Sequence, residues 1–364
     1  MTETVLEASR PTPTRRRIDH MRIAVSYYCN LHCQHCYVPE LNRSKYRQLL
    51  EGSQLSMDEI TSFVDVCTSE MGLSKVTITG GEAMLNLVWP RTKALLKHAL
   101  DRGLTVQLNT SGSGQVRMAQ LAAACGSRLD QLVLHLSLDG TDEEKVDAFR
   151  GRRGAMRGAL RSLKESRELG IAVEARLTIT EDNRDDTVAT YDLVSEHGAR
   201  SFMAKPMFAS GVARENEALL LRQMNQVRDV QCELLDRSIG NSTRLGLPEP
   251  VYVAEEEFPQ GHNAYVIKCA CGDAAGYLST NGDIYPCSYL VGAPDDKKYV
   301  LGNIRDADFV DLWSDPDSYR TFRSAAKDRN CTAQNIVSQG MGVETSGAGC
   351  ACGKTEGSCG CSQS

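Results

Sequence analysis

Apolar positions along the first two-thirds of the chain fall into two alternating patterns. Residues 23–27, 75–79, 104–108, 132–137, 171–179 and 201–205 are short runs rich in Val, Ile, Leu and Thr, and read as strands. The stretches between them carry helical spacing. Ile60, Phe63, Val64 and Cys67 recur at i, i+3, i+4 and i+7 behind Ser56-Met57-Asp58-Glu59, a capping box. Residues 89–101, 115–124, 154–169, 186–197 and 216–238 read as further helices, with Gly103 and Gly170 as stops. Strand and helix alternate throughout, which predicts an α/β fold built on a parallel sheet. Six strand–helix units are too few for a closed eight-stranded barrel. Residues 241–264 interrupt the pattern with Pro248, Pro250 and Glu255-Glu256-Glu257 and read as a linker. The expected division is a tail over 1–20, an α/β domain over 21–240, the linker, and a cysteine-rich domain over 265–364.

Composition narrows the function classes. Of 364 residues, 41% are hydrophobic and 24% charged, which is ordinary for a globular protein. The net charge of −6 gives no reason to expect a nucleic-acid partner. No apolar run is long enough to span a membrane, and Arg15-Arg16-Arg17 is not followed by an apolar export segment. A cytoplasmic location is expected.

The 14 cysteines change the picture. Disulfides are rare in a reducing cytosol, so thiols at this density suggest metal. Cys67, Cys125 and Cys232 are scattered and read as small buried hydrophobes. The others are grouped. Cys29, Cys33 and Cys36 stand in Cys29-Asn30-Leu31-His32-Cys33-Gln34-His35-Cys36-Tyr37, directly after the first strand. Three thiolates are one short of the set that saturates a [4Fe–4S] cluster, which leaves one iron open. The alternative is a zinc knuckle completed by His32 or His35.

The C-x3-C-x2-C triplet with Tyr37 beside its last cysteine resembles the signature of the radical S-adenosylmethionine (SAM) enzymes. The resemblance implies a six-stranded partial (β/α)6 barrel, open on one side for substrate. Cys29, Cys33 and Cys36 would hold the cluster, and SAM would chelate the free iron. One electron, from a low-potential donor of flavodoxin or ferredoxin type, then splits SAM into methionine and a 5′-deoxyadenosyl radical that takes a hydrogen atom from a C–H bond. Gly80-Gly81-Glu82, one strand later, matches the family's Gly-Gly-Glu motif for the SAM amine, with Ala83 where many relatives have proline. Asn109, Ser137 and Arg150 stand where the family places contacts to the SAM ribose or carboxylate, and Gly211-Val212-Ala213 resembles its glycine-x-alanine turn near the adenine.

The C-terminal region resembles the SPASM domain, an auxiliary iron–sulfur module. Its signposts are Cys269, Gly282, Tyr285-Pro286-Cys287, Gly302-Asn303 and Leu312-Trp313. The ligand spacing departs from the family, since Cys331 is followed by a long insertion and the last four thiols read C-x-C-x6-C-x-C. Cys269, Cys271, Cys287, Cys331, Cys350, Cys352, Cys359 and Cys361 make eight tail thiols, enough for two [4Fe–4S] clusters. A zinc ribbon and, for residues 349–361, a metal-scavenging tail are the alternatives. Cys232 is a candidate hydrogen donor to a product radical, against a plain core role beside Val227, Val230, Leu234 and Leu235. The expected substrate is a ribosomally made peptide, oxidised, cross-linked or epimerised. Only about twenty residues precede the first strand, so a separate recognition protein is expected. The alternatives are a sugar or aminocyclitol substrate, or a non-catalytic Fe–S or zinc carrier.

Overall fold

The computed structural model describes residues 15–40, 53–325 and 331–344. Cys350, Cys352, Cys359 and Cys361 lie outside the described residues. The alternation read from the sequence appears as β1 (His20–Ser26), α1 (Met57–Met71), β2 (Lys75–Gly80), α2 (Trp89–Asp101), β3 (Thr105–Thr110), α3 (Met118–Cys125) and β4 (Leu132–Ser137). There follow α4 (Glu143–Arg150), α5 (Ala155–Glu168), β5 (Ala172–Ile179), α6 (Thr187–Glu196), β6 (Ser201–Pro206) and α7 (Met224–Arg237). Strands β1 to β6 are adjacent in chain order and all parallel.

The sheet does not stop at six strands. It has eleven, in the order β11-β10-β9-β1-β2-β3-β4-β5-β6-β7-β8. β7 (Arg244–Pro248) and β8 (Ala264–Ile267) extend it beyond β6, so the stretch read as a linker supplies a parallel strand and the start of another. Its prolines misled: Pro248 is the last residue of β7, where a missing N–H costs little. At the other side β9 (Ala275–Leu278) runs parallel to β1, with β10 (Asp283–Tyr285) and β11 (Gly302–Asn303) antiparallel beyond it. The cysteine-rich region is therefore stitched to the first strand by backbone pairing. Short helices α8 (Phe309–Ser314), α9 (Arg320–Ala325) and α10 (Thr332–Val337) complete it.

Local chemistry explains the elements. Ser56 accepts from the Glu59 N–H while Glu59 accepts from the Ser56 N–H, and Gly72 ends α1 in the left-handed region at φ 76°. Ile60, Phe63, Val64, Cys67 and Met71 of that helix are buried together, as their spacing predicts. The helix expected over 216–238 starts later, because residues 211–219 form 3-10 turns with a kink at Asn216. Helix α4, not anticipated, is capped by Asp142, which accepts from Glu144 N and Lys145 N.

The two sheet faces differ in chemistry. Met21, Ile23, Val76, Ile78, Val106, Leu108, Leu134, Leu136, Val173 and Ala175 belong to the main apolar core with the helices. Their alternates are polar: His20 and Arg22, Thr77 and Thr79, Gln107 and Asn109, His135 and Ser137, Glu174 and Arg176, and Lys205. Strands of a fully covered parallel sheet read as near-continuous hydrophobic runs. Alternation here marks a polar face, on which Thr77, Thr79, His135 and Glu174 are themselves buried. Among the described residues no helix is long and apolar enough to cross a membrane.

Candidate active site

The cysteine loop leaves β1 and is fastened at several points. His32 N donates to Arg150 O at 3.1 Å and Gln34 N to Phe149 O at 3.0 Å, so the C-terminal end of α4 holds the loop's middle. Asn30 Nδ2 donates to Ser113 O at 2.9 Å, and Asn216 Nδ2 to Gln34 O at 3.2 Å. Cys33 is buried, Cys29 and Cys36 half-buried, and the three share an apolar pocket with Leu31 and Ala155. Burial, with Glu82 and the two neighbouring thiols adding to it, pushes the Cys29 thiol up to about 12. Such a thiol is neutral until metal binding drives off its proton. Three free thiols in one pocket fit a [4Fe–4S] cluster with one open iron. The zinc knuckle fits less well. His32 is exposed, and the His35 ring stacks on Phe149 with centroids 4.6 Å apart. Among the described residues no three His, Cys, Asp or Glu donors are set to hold a single metal ion.

Gly80-Gly81-Glu82 straps the entrance of this loop. Gly81 N donates to Ser26 O at 2.7 Å and Glu82 N to Tyr28 O at 2.9 Å. A Cβ on Gly81 would overlap the Tyr28 carbonyl and one on Gly80, at φ 118°, the Ser26 carbonyl. Both glycines are thus required by backbone packing alone. Glu82 is 2% exposed, and its carboxylate accepts from Met84 N, Thr110 Oγ1, Ser111 N and Ser111 Oγ at 2.6–2.9 Å.

Arg150 likewise has partners within the protein. Its guanidinium is ion-paired with Asp139, and the two side chains are 8% and 0% exposed. It also lies 3.9 Å from Cys33 Sγ, and the Cys33 thiol is 3.7 Å from the Arg150 carbonyl. Asp139 Oδ1 accepts from Thr178 N at 2.9 Å, so the pair ties the cysteine loop to the end of β5.

Asn109 and Ser137 stand near the C-terminal ends of β3 and β4, on the polar face. Asn109 Nδ2 donates to Thr79 Oγ1 at 3.0 Å, leaving Oδ1 to accept from His135 Nδ1 at 3.0 Å. His135 is 1% exposed, and burial, followed by the Arg176 charge, holds its pKa well below the ordinary value. The neutral ring then turns Nε2 to Arg176, whose Nη2 donates at 3.3 Å. Arg176 closes the chain on Glu174 at 2.7 Å. Ser137 is half-buried next to this network, and its register partner is Arg176. The sequence reading missed His135, Glu174 and Arg176, although the polar alternation within the strands was visible.

Tyr37 ties the two cysteine regions together. Its ring meets Tyr289 edge-on, with centroids 5.8 Å apart, and burial pushes its hydroxyl up to about 12. Cys36, Tyr37, Phe208, Tyr277, Tyr285 and Tyr289 pack in one cluster with Cys269, Cys271, Cys287 and Cys331. Ala213 N donates to Cys36 O at 3.2 Å, and a Cβ on either Gly211 or Gly292 would overlap the Tyr37 carbonyl. The four tail thiols lie within electrostatic reach of one another: Cys271 of Cys269 and Cys287, and Cys331 of Cys269 and Cys287. Four convergent thiols fit one fully ligated [4Fe–4S] cluster, in which each sulfur serves its own iron.

Cys67 and Cys125 are core residues, 0% and 5% exposed. Cys232 is half-buried on α7, packed against the main core, with Arg228 and Glu257 as its charged neighbours.

Comparison with known proteins agrees with this arrangement. The radical SAM superfamily model matches residues 23–194 and an iron–sulfur cluster-binding domain model, SPASM, matches residues 269–334. The chain is 24% identical over 307 residues to an AdoMet-dependent heme synthase of Methanosarcina barkeri, covering 81% of this chain and 82% of the relative. It is 24% identical over 312 residues to the mycofactocin maturase MftC of Mycolicibacterium smegmatis, covering 85% and 73%. In fold it is similar to the crystal structure of Streptococcus suis SuiB bound to the precursor peptide SuiA, with a TM-score of 0.62, 16% identity, and coverage of 85% and 67%. Motif, fold and thiol placement agree: the chain is a radical SAM enzyme with a SPASM iron–sulfur domain toward its C-terminal end.

Proposed function

We propose that this enzyme takes a hydrogen atom from a ribosomally made peptide lying against the polar face of the sheet. Cys29, Cys33 and Cys36 would hold the [4Fe–4S] cluster, and Gly80, Gly81, Glu82, Asn109, Ser137 and Tyr37 would surround SAM. Bound there, the cluster would supply the electron that splits SAM into methionine and the 5′-deoxyadenosyl radical. The chain's own residues do the rest. Glu82, held by four donors, fixes the turn beside Cys29. The Asp139–Arg150 pair sets the position of Cys33. The Asn109–His135–Arg176–Glu174 chain presents fixed donors and acceptors where substrate would lie. Preorganised dipoles of this kind need no rearrangement during the reaction.

One observation carries the proposal: Cys36 of the first thiol set and the four described tail thiols border a single aromatic cluster. A cluster held by the tail thiols would supply an electron acceptor on the Cys36 side of the site, as oxidation or cross-linking requires. A peptide is favoured by the maturase relative and by the fold shared with SuiB, whose structure contains a precursor peptide. Contact between the Arg150 guanidinium and the SAM carboxylate would require it to leave Asp139. The electron donor is of the flavodoxin or ferredoxin type, a separate recognition protein assists, and the setting is the cytoplasm.

A small-molecule substrate is the second reading, favoured by the inner-face cations Arg22, Arg176 and Lys205 and by the heme synthase relative. A sugar or aminocyclitol is one form of it, and an acid-bearing molecule suits the cations better. The two are separated anaerobically with SAM, dithionite and an extract of cells grown in D2O. Deuterium should appear in 5′-deoxyadenosine, and protease treatment of the extract should abolish the transfer. Transfer that survives protease rejects the peptide. A full absence of 5′-deoxyadenosine, with all iron sites loaded, rejects the radical chemistry.

A further inference from the structure

The four described tail thiols are not surrounded by apolar groups alone. Arg22 of β1 reaches Cys271 with Nη1 donating to Sγ at 3.7 Å. Cys287 and Cys269 are also within its electrostatic reach. Lys205 of β6 stands over the rings of Phe208 and Tyr289, with Nζ 4.3 and 5.2 Å from the two centroids. The ionisable groups that act on it are Cys331, Tyr289, Cys269 and Cys287. Both cations are half-buried. Among the described residues neither is ion-paired with a carboxylate, although most other arginines of the chain are. Cations kept out of bulk water without an anion are costly, so such groups are normally paired. The sheet therefore presents two cations without a carboxylate partner, one from β1 and one from β6, to one set of four thiols.

We propose that Arg22 and Lys205 are built-in counter-charges for a [4Fe–4S] cluster held by Cys269, Cys271, Cys287 and Cys331, and that they raise its reduction potential. This rests on the reading of those thiols as ligands of one cluster. A cluster held by four thiolates carries net negative charge, which grows by one unit when it gains an electron. Fixed positive charge at its edge stabilises the more negative, reduced form. Hydrogen bonds and charge around the sulfurs are established levers on such potentials. The arrangement makes the site a better electron acceptor than its thiolates alone would give. It also places that control on β1 and β6, within the polar face of the sheet. Arg22 and Lys205 are accordingly positioning and tuning residues and take no part in bond breaking.

The test is an EPR-monitored potentiometric titration of the full-length, anaerobically reconstituted protein, with dithionite as reductant through mediators. Added SAM identifies the signal of the cluster with the open iron. The signal that ignores SAM reports the tail cluster. Arg22→Gln and Lys205→Gln should each lower the equilibrium constant for its reduction about tenfold, or ~59 mV for one electron. Arg22→Lys and Lys205→Arg should stay close to the parent. Unchanged midpoints in both Gln variants, with iron content retained, overturn the proposal. If the Gln variants lose the tail iron and the charge-conserving variants keep it, the counter-charge is needed for assembly and the proposal stands. Loss of iron in both kinds of variant shows that shape matters and charge does not, and overturns it. Iron content separates this from failure of the ligand reading. If Cys287→Ala leaves the iron count unchanged, or zinc occupies the tail thiols, the ligand set is wrong whatever the potentials.

Discussion

Replacing Arg150 by methionine should destabilise the protein more than almost any other single polar change. Its guanidinium and the Asp139 carboxylate are 8% and 0% exposed, and each is the other's counter-ion. Arg150→Met strands a carboxylate whose remaining side-chain partner is the Thr178 N–H at 2.9 Å. Removing one member of a buried pair costs about 3–5 kcal/mol, a large part of a typical ~5–15 kcal/mol stability. Asp139→Asn should cost a similar amount, since it leaves a buried guanidinium against a neutral thiol. The double variant Asp139→Asn, Arg150→Met leaves no buried charge, and the amide oxygen still accepts from Thr178. It should be more stable than the sum of the single losses predicts by about 2–3 kcal/mol. Urea unfolding of the metal-free, thiol-reduced chain, followed by far-UV circular dichroism, measures all three. Reconstituted iron provides a second readout, because the Arg150 main chain and guanidinium both hold the Cys33 segment. Single variants within about 1 kcal/mol of the parent, or strict additivity in the double variant, would refute the buried-pair account.

Gly81→Ala should reduce iron at the Cys29, Cys33 and Cys36 site without altering those ligands, because the new Cβ overlaps the Tyr28 carbonyl and forces the loop entrance apart; iron and sulfide analysis checks this. Overpacking costs about 1–3 kcal/mol where neighbours can shift, and backbone neighbours shift least. Cys29→Ala should abolish 5′-deoxyadenosine formation yet leave the tail iron in place, whereas Cys287→Ala should do the reverse to the iron, as counted per chain after anaerobic reconstitution. Glu59→Ala removes both half of the capping box and the pair with Arg305, and should lower stability by about 1 kcal/mol in thermal or urea unfolding. The hydrogen bond from Arg305, then that from the Ser56 N–H, lowers the Glu59 pKa from 4.5 to about 2. A depressed carboxylate pKa stabilises the fold above the unfolded value, so the difference between parent and variant should be full above pH 5 and fade as pH falls from about 4.5 toward 2.

Much of this protein is determined by local sequence. The triplet Cys29, Cys33 and Cys36 needs no tertiary context to be seen, because three sulfurs within eight residues can converge through one local loop. The strand–helix alternation predicts the parallel order of β1 to β6, since each helix returns the chain to the same end of the sheet. The capping box at Ser56 and Glu59 fixes a helix start by bonds within four residues. Tertiary structure alone decided the rest. Nothing local shows that residues 244–248 pair with β6 or that residues 275–278 lie beside β1, because strand pairing depends on partners far along the chain. Arg150 reads equally well as a ligand contact or a structural ion, and its meeting with Asp139 under the cysteine loop is visible only in the fold. Arg22 and Lys205 lie 183 positions apart in the sequence. They become one feature only when the returning C-terminal strands bring four thiols within reach of both, because charge acts through space and takes no account of position along the chain.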